Sequence, residues 1–203
     1  MNRIIRSVLL PVIYLSFATQ AFAEDSTPNC RRFAEDLRQE MVTIVHDKNS
    51  SFKQKHQALV RLFQEALDME WIAQNVAGSY WRNAGEQERK AYFKAYVSYL
   101  PNFYIGNFDE DDLNGILDVT LTKFKEREPK QYFARTQITQ KFDEPIDAEF
   151  ELVEAQSGKC HIHDFMAEGV SMLDTQREEI RSLGEKGGLP YITERLNARP
   201  QAM

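Results

Sequence analysis

The sequence has few cysteines, no excess of basic residues and no long apolar run beyond its first 23 residues. Its 203 residues include two cysteines and no Cys-x-x-Cys pair, so spacing gives no sign of a metal-binding or redox-active cysteine motif. Acidic residues outnumber basic ones by 31 to 25, which argues against nucleic-acid binding because that function needs a basic surface. No segment after residue 23 is apolar enough to cross a bilayer.

The sequence also lacks a recognised catalytic motif. Ser171 follows Glu168-Gly169-Val170 and therefore does not lie in a G-x-S-x-G elbow. His161 and His163 share a face of a predicted strand and could bind a metal, but the sequence names no further ligand, and a polar strand face is the simpler interpretation. The acidic run at 109–112 lacks the order of a calcium loop and is predicted to be a solvated turn. We therefore predict that the protein is not an enzyme and uses no metal or other cofactor.

Residues 1–23 are predicted to be an export signal. Arg3 and Arg6 are followed by a short apolar segment, and Ala21-Phe22-Ala23 has the pattern of a cleavage site. The alternative is an uncleaved membrane anchor, but the apolar segment is too short to span a bilayer. Cleavage would leave residues 24–203, which have the length of a single domain and can bury a substantial core.

If the chain is exported, the interpretation of its net charge and of its two cysteines changes. Loss of Arg3 and Arg6 moves the formal net charge from -6 to -8, so attraction to anionic lipid headgroups is not expected, and docking would require protein partners. Exported compartments are oxidising, which favours a disulfide between Cys30 and Cys160. Two buried thiols remain the alternative.

The first half of the mature chain has a helical period. Thr27-Pro28 is predicted to begin the first helix, and a second helix begins near Ser50. A third is predicted from about Asp68 to Gly78, and a fourth from about Glu86. Pro101 is expected to kink or end the fourth helix, because proline lacks the N–H that a helix needs.

The period changes to two after the acidic run. Leu117, Val119 and Leu121 alternate with polar residues, and three further strands are predicted at Tyr132–Phe142, Ile146–Leu152 and Lys159–Met166. Short connections between consecutive strands favour an antiparallel meander.

Two helices are predicted to close the chain. The first follows Ser171 and has a possible capping box at Thr175 and Glu178, and the second follows Gly187-Gly188. Helices, then strands, then helices are typical of an α+β fold.

The segment between residues 71 and 108 is rich in aromatic residues. Trp71, Phe93 and Tyr96 are examples from two predicted helices. Aromatic residues at helical spacing usually form core, but so many would also suit a helical layer held away from the sheet by a cavity.

Two motifs resemble those of the toluene-tolerance family of periplasmic phospholipid-binding proteins, the MlaC-like proteins. The first comprises Asp68–Ala73 and Ala77–Arg82, followed by Arg89 and Phe93. The second is Asp164–Ser171, which is similar to the family's strand ending in Asp-Val-x-x-Glu-Gly-Val-Ser. The resemblance spans roughly residues 33–196, although Cys160 stands where the family usually has tryptophan.

The resemblance implies a curved antiparallel or mixed sheet packed against several helices around an apolar cavity, similar to nuclear-transport-factor-2 and cystatin-like domains. It also implies a carrier that shuttles phospholipid across the periplasm. The implied partners are an inner-membrane ABC-transporter complex and an outer-membrane lipoprotein–porin complex. The alternatives are a carrier of another lipid, such as a hopanoid, or a periplasmic binding or structural module without lipid cargo.

Twelve residues are expected to line the lipid site. They are apolar positions on the third and fourth helices and on the strands, with Val170 at the rim where the last strand leaves the sheet. The expected lining consists of Trp71, Ile72, Val76, Tyr80, Phe93, Tyr96, Leu100, Val119, Leu121, Phe133, Phe150 and Val170.

Overall fold

The computed structural model describes residues 29–199, and five helices precede the sheet. Ser51 caps the second helix and Asp68 caps the third, each by accepting a hydrogen bond from a backbone N–H in the first turn. The helices are α1 Asn29–His46, α2 Phe52–Ala66, α3 Met69–Asn83, α4 Glu86–Ile105 and α5 Glu110–Gly115. The predicted export signal, its cleavage site and the Thr27-Pro28 helix start lie outside the described residues.

Five antiparallel strands form one sheet in the order of the chain. Register shifts interrupt the pairing of β1 with β2 at three places and that of β3 with β4 at one, and such bulges bend and twist a sheet. The strands are β1 Ile116–Glu128, β2 Gln131–Gln140, β3 Ile146–Glu154, β4 Cys160–Ala167 and β5 Val170–Ser171. The prediction of an α+β fold with an antiparallel meander is confirmed.

The second sequence motif forms the junction between β4 and the last helix, α6 Met172–Asn197. Glu168 and Gly169 both have positive φ, as in the tight turns that join antiparallel strands. The Asp164 carboxylate accepts hydrogen bonds from the Ser171 hydroxyl at 2.6 Å and from the Leu173 backbone N–H at 2.9 Å. The motif thus fixes where α6 begins.

Cys30 and Cys160 form a disulfide, with their Cα atoms 5.3 Å apart. The bridge joins the first turn of α1 to the first residue of β4, across 130 positions of sequence. Both residues are buried in the main core, so the bridge is shielded from solvent.

Two apolar clusters make up the core. The larger one joins α3, α4 and α6 to one end of the sheet, and the smaller one gathers Val45, Leu59, Leu113, Ile116 and Val119. None of the helices between residues 29 and 199 is long and apolar enough to cross a membrane.

Three local expectations were wrong. Helix α4 does not end at Pro101 but continues to Ile105, and the adjacent Asn102 side chain donates a hydrogen bond to the Ser98 carbonyl. The acidic run is not a turn, because Asp109 caps the short helix α5. Thr175 does not cap helix α6: the helix follows Ser171 as predicted, Ser171 itself is the cap, and the break at Gly187-Gly188 separates the two predicted helical segments.

Candidate functional site

One face of the sheet is covered by helices and carries the apolar side chains of three strands. The pairs Ala134–Phe150 and Phe150–Phe165 place these residues on the same face, because directly paired residues in a sheet point the same way. Phe165 packs against Phe63 of α2 and Tyr104 of α4, with ring centroids 5.2 and 4.9 Å apart. This is therefore the inner face of the sheet.

The helices do not close fully over this face. Leu152 and Ile162, near the disulfide, are 2% and 1% exposed, whereas Leu121, Phe150 and Phe165 are only partly buried. Across from them, Phe63 and Tyr104 are also partly buried. We call Leu121, Phe150, Phe165, Phe63 and Tyr104 the inner patch. It is an apolar surface between sheet and helices that a long apolar ligand could cover.

Val170 lies at the edge of the same face. It pairs with Ala167, which in turn pairs with Ala148, so all three residues share the inner face with Phe150. Val170 is 64% exposed, which is unusual for an apolar residue directed toward a core face. The role of Val170 at the rim of a lipid site stays a prediction.

A polar cluster lies beside the inner patch. The Tyr96 hydroxyl donates to Gln176 Oε1, and the Tyr99 hydroxyl donates to Glu179 at 2.6 Å. Arg199 pairs with Glu179 and also donates to the Tyr99 oxygen. Burial raises the pKa of the Tyr96 hydroxyl well above its usual range, so this group stays protonated and can donate.

Five of the expected lining residues lie in closed packing. Ile72, Tyr96 and Leu100 have no exposed surface and belong to the larger cluster, where α3, α4 and α6 meet. Val76 is buried in the same cluster, and Val119 in the smaller one. Their contact with a ligand remains a prediction, and it would require the helices to move.

Two aromatic residues face away from the inner patch. Phe133 is 3% exposed, but it lies on the opposite face of the sheet, where Arg127 and Lys125 cover its ring at 4.4 and 5.6 Å. Trp71 stacks on His163 with ring centroids 4.0 Å apart, beside β4. Neither is part of the inner patch.

His163 has a structural partner as well as a stacking one. Its Nε2 lies 3.2 Å from a carboxylate oxygen of Asp68, the residue that caps α3. Burial lowers the pKa of His163, although Asp68 opposes this shift. The histidine thus connects α3 to β4 and is mainly neutral at pH 7.

The remaining two helical candidates lie on the flanks of the larger cluster. Phe93 borders a surface groove of about 330 Å³ between α3 and α4, together with Trp81 and Arg89. Tyr80 packs on Gly184 of α6, just after a break in α3 at Gly78, where φ is 51°. Leu121, Phe150 and Val170 are therefore the expected residues that the structure brings together at the inner face.

Sequence reasoning missed several residues near the inner patch. Phe165 lies inside a motif that was recognised, and the alternation of β4 could have assigned its face. Phe63 lies in the second predicted helix, four residues after Leu59 and three before Ala66, and this helical spacing could have placed it on the apolar side. Nothing in the sequence indicates that Gln176 is buried near the site, because an isolated glutamine in a helix is usually exposed to solvent.

The fold is that of an α+β domain, in which helices cover the inner face of a five-stranded antiparallel sheet. The chain belongs to the MlaC family, since the family model described as MlaC protein matches residues 35–198. This confirms the resemblance seen in the two sequence motifs.

The fold is similar to that of a solved structure. It is the phospholipid-binding protein from Ralstonia solanacearum in complex with a phospholipid, which matches with a TM-score of 0.66 at 15% identity. The match covers 86% of this chain and 96% of that one. No functionally curated protein matches the chain by sequence.

Proposed function

We propose that this protein is a periplasmic lipid carrier that binds phospholipid against the inner patch and shuttles it between the inner and outer membranes. The observation that carries the proposal is the partly open apolar surface between sheet and helices, in a chain of the MlaC family. The phospholipid in the similar Ralstonia solanacearum structure supports the class of ligand. No catalytic step is part of this function.

Apolar burial explains how such a carrier works. Moving a methylene from water to an apolar surface is worth about 0.8 kcal/mol, so a chain of about 15 methylenes gains about 12 kcal/mol on binding. A bilayer offers the lipid a similar gain, so exchange between bilayer and protein has a small net free energy. The direction of transport must then come from the partners.

The proposed partners are an inner-membrane ABC-transporter complex and an outer-membrane lipoprotein–porin complex. The acidic mature chain is not attracted to anionic headgroups, so delivery of lipid requires docking on proteins. The disulfide is compatible with an oxidising compartment such as the periplasm.

Native mass spectrometry of the exported protein, purified without added lipid, tests the proposal. We expect a population with bound phospholipid in the wild type. Val170→Glu should remain folded by circular dichroism and lose most of this lipid, because a carboxylate at the rim of the inner face opposes entry of acyl chains while remaining hydrated.

Phe142→Glu is the matched control. Phe142 is an exposed apolar residue like Val170, with 82% of its surface accessible, and it lies in the loop after β2. This variant should retain wild-type lipid content. A lipid-free wild-type protein would favour the module without cargo, and a hopanoid in the extract would identify a different cargo.

A further inference from the structure

Two hydrogen-bonding groups beside the inner patch lack a well-formed hydrogen bond to any of residues 29–199. The Gln176 side-chain nitrogen and the Tyr104 hydroxyl oxygen are both buried, and neither makes a hydrogen bond within residues 29–199. Gln176 has no exposed surface at all. Because a buried polar group without a partner is costly, such a group in a native protein calls for a specific explanation.

The two groups lie together at the edge of the apolar surface. The Tyr104 ring belongs to the inner patch and contacts both Phe63 and Phe165. Gln176 reaches the same region from α6, where its amide oxygen accepts from Tyr96 and leaves the nitrogen available as a donor. Burial raises the pKa of Tyr104, and the Gln176 side chain opposes this shift because it lies within hydrogen-bonding reach of the Tyr104 hydroxyl. Even if Gln176 Nε2 turns one N–H toward the Tyr104 oxygen, its second N–H and the Tyr104 O–H remain as donors.

The surrounding charges favour a neutral acceptor. The Glu179 carboxylate accepts from Tyr99 in the polar cluster, and the Asp164 carboxylate belongs to the residue before Phe165 of the inner patch, so two acidic groups border this site. Arg199 is engaged with Glu179 and Tyr99. A phosphate placed here would meet two carboxylates, whereas an ester carbonyl brings an acceptor oxygen without net charge.

We propose that Gln176 Nε2 and Tyr104 Oη donate hydrogen bonds to an ester carbonyl of a bound diacyl lipid. This inference rests on the proposed function and adds a polar recognition element to it. It makes the protein selective for ester-linked chains over ether-linked chains of the same length.

The test compares two probes that differ in their carbonyl groups. Delipidated protein is equilibrated with vesicles of dioleoyl phosphatidylcholine or of its dialkyl ether analogue, and bound lipid is quantified by mass spectrometry. We expect the wild type to prefer the diacyl lipid by about tenfold, the effect of roughly one net hydrogen bond at the upper end of its usual range.

Two variants remove the donors with little change of shape. Tyr104→Phe and Gln176→Met should each reduce loading of the diacyl lipid and leave loading of the ether lipid unchanged, which also shows that the binding surface is intact. Tyr92→Phe is the control, because it removes a hydroxyl that donates to the Ala73 carbonyl within the helical core. Its preference should equal that of the wild type.

Several results would overturn the inference. Equal loading of both lipids by the wild type means that the donors bind water or a phosphate oxygen rather than a carbonyl. A preference that survives in both variants assigns selectivity to other residues. If the wild type loads neither lipid, the proposed function itself fails and the inference fails with it.

Discussion

Substitution of Gly184 by alanine should destabilise the protein, although alanine is normally the better helix former. Gly184 lies in α6, and a Cβ atom there would be 2.3 Å from Cε2 and 2.4 Å from Cζ of Tyr80. Glycine costs a helix about 1 kcal/mol relative to alanine, but overpacking of a core site costs about 1–3 kcal/mol. The difference between these two effects means that Gly184→Ala should lower the free energy of unfolding by up to about 2 kcal/mol.

A double-mutant cycle measured by urea unfolding isolates this contact. In a Tyr80→Leu background the ring atoms are absent, so Gly184→Ala should become stabilising by up to about 1 kcal/mol. The coupling between the two sites should then be about 2 kcal/mol, well above the scatter of independent sites.

Gly115→Ala is the matched control for this cycle. Gly115 is also a helical residue, the last one of α5. A Cβ atom at this position would have no heavy atom of a neighbouring residue within 4 Å. Its stability should change by no more than about 0.5 kcal/mol. Additive effects of Gly184→Ala and Tyr80→Leu, or a gain of stability from Gly184→Ala alone, would refute the packing of Tyr80 on α6.

Three further predictions concern stability. Cys30→Ala/Cys160→Ala should cost about 2–5 kcal/mol in urea unfolding, because the disulfide closes a loop of 130 residues, and two free thiols in denatured, unreduced wild type would contradict the bridge. Asp164→Ala should cost about 2–3 kcal/mol, since the carboxylate holds the start of α6, and a change below about 0.5 kcal/mol would mean that this cap is dispensable. Burial keeps the pKa of His163 below 6.5, so the unfolded chain binds the proton more readily, and the free energy of unfolding should fall as the pH drops below about 6.5. His163→Phe should reduce this pH dependence, and an unchanged pH profile would exclude His163 as its source.

The change of period along the chain was enough to predict the fold class. Helical periodicity before residue 108 and alternation from Leu117 onward gave helices followed by an antiparallel sheet, as the structure has it. The same periodicity could not say what each apolar face meets. Ile72 and Leu100 lie on predicted apolar faces, but they pack against other helices and have no exposed surface.

The alternation of apolar and polar residues in a strand does not predict which face a residue occupies where several apolar residues are consecutive. Tyr132, Phe133 and Ala134 are consecutive, so alternation alone does not assign a face to the middle residue. Register assigns Ala134 to the inner face and Phe133 to the outer one. Interactions over long sequence distances, such as that between Tyr96 and Gln176, have no local signal in the sequence.

Photocrosslinking from the two faces of the sheet tests the central claim most directly. A benzophenone amino acid is placed at Phe150, on the inner face, or at Phe133, which neighbours the partner of Phe150 but lies on the outer face. After irradiation of cells exporting each protein, we expect a phospholipid adduct at Phe150 and none at Phe133. Equal adducts at both positions, or an adduct at Phe133 alone, would contradict the binding of lipid between the sheet and the helices.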